Sequence, residues 1–167
     1  MTARQLKHGL FLGFLMLINS IFWGTATAGA AMPVASYSLT QAAEGRELYA
    51  EHCASCHGMN LLGNESGPAL SGKAFQDRWA SRAAGQLFDL TTTSMPSTNP
   101  GGLVVRDYAA ILAFMLYENG YAASAVDLDL KSQLAHSATL GYPSKGEQPT
   151  LPTVSALSGT MTEWLHH

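Results

Sequence analysis

Between residues 40 and 121 the apolar positions of this 167-residue chain recur at helical spacing, and no useful length of alternation reads as a strand. The first periodic stretch is Gln41 to His52. Ala42, Gly45, Leu48, Tyr49 and His52 fall on one face, while Glu44, Arg46, Glu47 and Glu51 fall largely on the others. Ser38 followed by Gln41 fits a capping box, with Thr40 as the other candidate cap. Gly45 costs about 1 kcal/mol relative to Ala inside a helix, a cost that a close crossing by another helix would explain. Residues 58–72 hold Gly58, Gly63, Gly67, Pro68 and Gly72 and read as a loop. Shorter helices are expected at Ala74 to Ala83, with Phe75 and Trp79 one turn apart, and at Ala84 to Thr92, carrying Leu87, Phe88 and Leu90. Two prolines and two glycines between Ser94 and Gly102 stop any helix there. The stretch Asp107 to Asn119 is the clearest helix after the first, with Tyr108, Ile111, Leu112, Met115 and Leu116 as its stripe and Asn119-Gly120 as its stop. Asp127 to Leu140 allows one more helix. Pro143, Pro149 and Pro152 break up the remainder, and Leu157 to Leu165 is either a short terminal helix or a frayed end. Trp164 there suits docking onto the body or a partner as well as simple fraying. The fold class is all-α.

The ends of the chain change this picture. Arg4 and Lys7 precede an almost wholly apolar run from Leu10 to Trp23, and Ala26-Thr27-Ala28 and Ala28-Gly29-Ala30 offer small-residue cleavage sites. Residues 1–30 therefore read as an export signal. The rival is an uncleaved anchor, but a span needs about 20 apolar residues, and Asn19, Ser20, Thr25 and Thr27 dilute the run. Either way the folded part is expected outside the cytoplasm, in the periplasm. It meets a membrane only if the segment stays attached. Residues 31–39 read as a linker, 40–121 as the domain and 122–167 as a partly irregular extension. Without residues 1–30 the chain has seven Lys or Arg against twelve Asp or Glu, a net charge of −5. No basic run exists, which argues against nucleic acid as a partner.

The chemistry concentrates in Cys53-Ala54-Ser55-Cys56-His57, which uses both cysteines of the chain. Two thiols three positions apart, followed at once by an imidazole, form the attachment signature of a c-type haem. The spacing lets the thiols reach two vinyl groups as thioethers while the next residue offers a ring nitrogen to iron. A thioredoxin-like thiol pair would not need His57, and no strand–helix–strand pattern surrounds it. A structural zinc site would want a second pair of ligands at similar spacing, and none appears. A plain disulfide is the remaining alternative.

With Glu44-Gly45-Arg46-Glu47-Leu48-Tyr49 before that motif, Gly67-Pro68-Ala69-Leu70 after it, Met95-Pro96, and Tyr108 to Leu116, residues 40–121 resemble the class I cytochrome c family. Met95-Pro96 with Asn99-Pro100-Gly101-Gly102-Leu103, then Tyr108 and Asn119-Gly120-Tyr121, look most like small cytochromes associated with quinoprotein dehydrogenases. The resemblance implies three to five helices around one covalent haem c, with His57 and Met95 as its axial ligands. A thioether is soft and favours ferrous iron, and Met95 lies in a Pro/Gly-bounded loop able to reach the face opposite His57. Met59 is too close to His57 in sequence to cross the porphyrin easily, Met115 is better explained as packing, and His136 is the leading substitute. The resemblance also implies that the Pro68 carbonyl accepts the other ring N–H of His57. It implies that Trp79 donates to a haem propionate, although an ordinary core tryptophan fits the spacing nearly as well. Gly45 and Tyr49 would cross the later helix near Phe114. The chain lacks the lysine-rich surface of mitochondrial forms, and its extension is longer than a minimal cytochrome needs.

With both axial positions filled, the expected function is single-electron transfer without catalysis by the chain itself. The expected donor is a dehydrogenase, of quinoprotein type by the same resemblance, and the acceptor a membrane oxidase or another cytochrome. Two other classes stay in view. One is a gas- or peroxide-reactive haem with an open sixth site; the other is a docking or sensory subunit whose residues 122–167 bind a larger complex.

Overall fold

The computed structural model describes residues 36–132, 136–143, 149–153 and 155. All belong to the compact unit Met32–His167. Five helices follow one another, with no strand among the described residues: α1 Leu39–His52, α2 Ala54–His57, α3 Gly72–Trp79, α4 Ala84–Ser94 and α5 Val105–Glu118. The all-α expectation holds. The export segment, the expected helix at 157–165 and Trp164 lie outside the described residues. Among the described residues no helix is long and apolar enough to cross a membrane.

The fold is built on the crossing of α1 and α5. Gly45 meets α5 so closely that a Cβ built on it falls 1.8 Å from the Ala110 carbonyl oxygen. One turn further along α1, the Tyr49 ring packs on Phe114 at 5.5 Å between centroids, tilted by 57°. The helix penalty at Gly45 is thus offset by backbone-to-backbone approach, and the expected crossing partners are the observed ones. Every residue of α5 from Tyr108 to Leu116 is buried, so its apolar character extends round the helix, as expected of a central element.

The start of α1 departs from a simple capping box. Ser38 Oγ accepts from the Gln41 N–H at 3.0 Å, as an N-cap does. The Gln41 side chain does not return the bond. It is buried and grips the backbone of Leu128 from both sides, its Nε2 donating to the carbonyl at 3.2 Å and its Oε1 accepting from the N–H at 2.7 Å. Tyr37 donates its hydroxyl to the Tyr121 carbonyl and accepts the Ser124 N–H on its own carbonyl at 2.8 Å. These bonds lay the residues after α5 back across the first helix.

Among the described residues, one helix over the whole of Asp127 to Leu140 is not present. Residues 127–132 and 138–140 are irregular, 136–137 are helical with the His136 N–H donating to the Ser132 carbonyl at 3.1 Å, and an isolated bridge joins Thr139 to Ala83. Leu128, Leu130 and Leu140 are buried in the main core, so their spacing reflects three separate docking points and not one helical face. The other boundaries shift by a few residues. The helix expected from Ala74 begins at Gly72 and ends at Trp79, and α5 starts two residues before Asp107.

The crossing makes a prediction whose sign opposes intrinsic helix preference. Gly45→Ala should destabilise the protein by about 3 kcal/mol or more, because the backbone at Ala110 has no room to yield. Thermal unfolding monitored by far-ultraviolet circular dichroism measures it. A second prediction concerns alkali. Tyr121, which donates to the Gly141 carbonyl at 2.7 Å, is pushed up to about 12 by burial, with the Tyr142 charge adding. Tyr49 is displaced in the same direction, chiefly by burial. The unfolded chain therefore loses these protons first, so stability should fall as pH rises from about 10 towards 12. In urea titrations Tyr121→Phe should reduce that slope, while costing about 1 kcal/mol at neutral pH for the lost hydrogen bond.

Candidate haem site

The C-terminal end of α1 runs directly into the cysteine motif, so the position of that motif follows from the α1–α5 crossing. Cys53 donates its N–H to the Tyr49 carbonyl at 2.9 Å, and the four residues Ala54–His57 coil into α2. The Tyr49 hydroxyl donates to the Gly58 carbonyl at 2.7 Å and ties the exit of the motif back to α1. Cys53 and Cys56 form no disulfide. Burial, with the Cys56 charge adding, pushes the Cys53 thiol up to about 11.

His57 is buried, and its Nδ1–H donates to the Pro68 carbonyl at 2.8 Å. That bond fixes the tautomer and leaves Nε2 with its lone pair free to bind a metal. The neighbour of Pro68 makes the contact possible. A Cβ at Gly67 would lie 3.0 Å from both Cε1 and Nδ1 of His57 and 2.8 Å from the Cys56 carbonyl. The far end of the same loop is pinned by Asn119. Its Nδ2 donates to the carbonyls of Leu70 at 2.9 Å and Met115 at 2.8 Å, and its Oδ1 accepts the Gly72 N–H at 3.0 Å.

A second part of the lining comes from α4 and the loop after it. Met95 is the C-cap residue of α4 and precedes Pro96 through a cis peptide bond. Its carbonyl accepts from the Tyr108 hydroxyl, which in turn takes the Leu103 N–H at 3.4 Å. Tyr108 counts as part of the apolar stripe by spacing alone. Its phenol is what anchors the loop to α5.

These pieces enclose a cleft holding about 1020 Å³ of empty space, part of it open to solvent. Cys53, Cys56, His57, Pro68, Trp79 and Met95 all line it, so the six residues singled out by sequence share one site. Leu87, Leu90, Ile111 and Met115 add an apolar lining, and Met115 is buried there as packing. Met59 is largely exposed, and His136 lies outside the cleft against Phe88. Trp79 is buried, yet among the described residues its indole N–H finds no protein acceptor. Such a donor is expected to bond something. The Arg78 and Arg82 guanidiniums lie 5.3 and 5.7 Å from the Trp79 ring centre, and Arg78 also lines the cleft. A broad apolar slot with two thiols, a histidine nitrogen, a thioether and an unsatisfied N–H beside cationic groups fits a porphyrin bearing vinyl groups, a central iron and acidic side chains.

Residues 40–115 match the family model described as cytochrome C oxidase, cbb3-type, subunit III. This segment is a class I c-type cytochrome domain. The family carries covalently bound haem c, and Cys53, Cys56 and His57 form its attachment motif. The cytochrome is also similar to a chain in the crystal structure of the sulfane dehydrogenase SoxCD from Paracoccus pantotrophus, at 31% identity and a TM-score of 0.39. That match covers 52% of this chain and 51% of the other, so the cytochrome spans about half the length of the protein it resembles. No curated protein matches it.

Some parts of the site carry no sequence signal of their own. Gly67 is one glycine among several in its loop, and its role needs the approach to His57 to be seen. It also makes the sharpest test of the loop. Gly67→Ala should drive Pro68 off Nδ1 without touching the thiols. Haem content by mass should stay at one per chain. The reduction potential should rise, because an imidazole that has lost its acceptor donates less to iron, and the Nδ1 proton should exchange measurably faster by NMR.

Proposed function

We propose that this cytochrome is an exported mono-haem electron carrier. Cys53 and Cys56 hold the haem as thioethers, and His57 and Met95 bind the iron from opposite faces. The observation that carries the reading is that His57, fixed by Pro68, and Met95, anchored by Tyr108, line one cleft from separate segments of the chain. Bound there, haem c supplies one-electron chemistry at a potential raised by the His/Met pair. The chain's own residues exclude water with Leu87, Leu90, Ile111 and Met115, hold the imidazole and thioether through a change of charge, and offer no open coordination position. The Trp79 N–H and the Arg78 guanidinium are suited to neutralise the acidic side chains of the porphyrin.

The electron donor in this reading is a dehydrogenase, with a quinoprotein favoured by the run from Met95-Pro96 to Asn119-Gly120-Tyr121. The acceptor is a membrane oxidase or another cytochrome. A net charge of −5 after loss of residues 1–30 would steer it towards basic docking faces on such partners. The periplasmic address rests on Arg4, Lys7 and the apolar run from Leu10 to Trp23.

The test is optical. The haem-loaded ferric protein should show the weak absorption near the red end that marks iron–thioether bonding. Met95→Ala should abolish that band, lower the reduction potential and admit carbon monoxide to the reduced form. A native protein that lacks the band and binds carbon monoxide readily would falsify the electron-carrier reading in favour of an open-site haem.

A further inference from the structure

We infer that residues 136–141 act as a positioning strap for Met95, working through α4; the inference rests on Met95 being the sixth ligand. The strap runs antiparallel to the turn that leads into α4. Ala84 donates its N–H to the Ala138 carbonyl, Leu140 to Arg82 and Gly141 to Ala80, each at 2.9 Å, and Ala83 bridges Thr139. It then covers the first turns of the helix. The His136 ring stands edge-on to Phe88 at 5.7 Å and 84°, with Nδ1 at 4.0 Å from the Asp89 carboxylate, and Nε2–H donates to the Leu130 carbonyl. Gly85 lies beneath, where a Cβ would come within 2.6 Å of His136 Nδ1 and 2.8 Å of its carbonyl oxygen. Both contacts are tight and one is backbone, so helix and strap are closely fitted at this position.

At about 100° per residue, Gly85, Phe88 and Asp89 occupy one side of α4, and Leu87, Leu90 and Thr91 occupy the other. The second set lines the haem cleft. The helix is therefore held between strap and cleft, and Met95 is its C-cap, donating its N–H to the Thr91 carbonyl at 3.2 Å. Any tilt or fraying of α4 moves the sulfur.

The helix is poorly equipped to hold itself. No side chain caps its N-terminus, its first turn has no acid and its last turn no base. Thr91, Thr92 and Thr93 stand in a row, and each bonds its hydroxyl back to the carbonyl four residues earlier, a pattern that weakens helices. An 11-residue helix of this composition depends on tertiary support. The His57 wall is secured separately, through α1, Tyr49 and Pro68. Loosening the strap should thus release the sixth ligand selectively.

The experiment uses the full haem-loaded chain with three substitutions: His136→Ala, Gly85→Val and Gln41→Ala. It reads the ferric thioether band, the reduction potential, and the apparent affinity for added imidazole, which must displace Met95. His136→Ala and Gly85→Val should bind imidazole about tenfold more tightly or better, with a lowered potential and unchanged covalent haem. Gln41→Ala loosens the tail where it meets α1; it should lower the melting temperature and leave imidazole affinity as it was. A native protein without the thioether band removes the premise, and the strap falls with it. A native protein with the band, but with His136→Ala at native imidazole affinity and potential, overturns the strap and leaves Met95 as ligand intact. An equal response from Gln41→Ala also overturns it, since the effect is then general loosening. His136→Ala removes bulk, so it keeps the test decisive if Gly85→Val does not fold.

Discussion

The approach of α1 to α5 at Gly45 is the contact on which the remaining geometry depends. It brings two backbones together with no side chain between them, and it fixes both the direction in which α1 ends and the depth at which α5 runs. The cysteine motif begins at the next residue after α1, so it inherits that direction. Ile111 and Met115 lie on α5, so the apolar lining of the cleft inherits that depth. A side chain at position 45 would shift both together, which is why a residue costly to a helix is the one suited to this place.

Around this frame, irregular segments are held by single polar side chains gripping backbone. Gln41 takes both groups of Leu128, Asn119 takes Leu70, Met115 and Gly72, Tyr49 takes Gly58, and Tyr108 takes the Met95 carbonyl. A buried amide or phenol satisfies loop groups that no helix or strand can reach, and leaving one of them unpaired is costly. A small helical domain with long connections can therefore carry a defined site. The loops are positioned by the ends of α1 and α5 and not by their own regularity.

Much of this is legible in the amino-acid order, for a physical reason. Elements whose signal is local stand out: the stripes of α1 and α5, the Pro/Gly stops, and a motif whose chemistry is complete within five residues. The role of Pro68 comes from a family pattern, and its bond to His57 is present. What escapes is non-local. Gln41 looks like half of a capping box because its partner, Leu128, is 87 residues away. Residues 127–140 show helical spacing because three leucines must be buried, yet residues 138–141 pair by backbone with residues 80–84 and leave the helical path. Tyr108 counts as apolar because its ring is buried, and only the fold shows where its hydroxyl points.

The two walls of the cleft are built on different principles. The His57 wall is short-range: cysteines, histidine and Pro68 lie within 16 residues, and the haem thioethers lock it covalently once formed. The Met95 wall is long-range. Its loop is anchored by Tyr108, and its helix is covered by a segment more than 40 residues further along the chain. In the proposed ligation by Met95, a thioether is the weaker and softer of the two donors and has no covalent tether to keep it near iron. The ligand that is easiest to lose would then be the one whose support is drawn from farthest away. That arrangement would give residues beyond Tyr121, which a minimal haem domain could omit, a physical route to influence the potential.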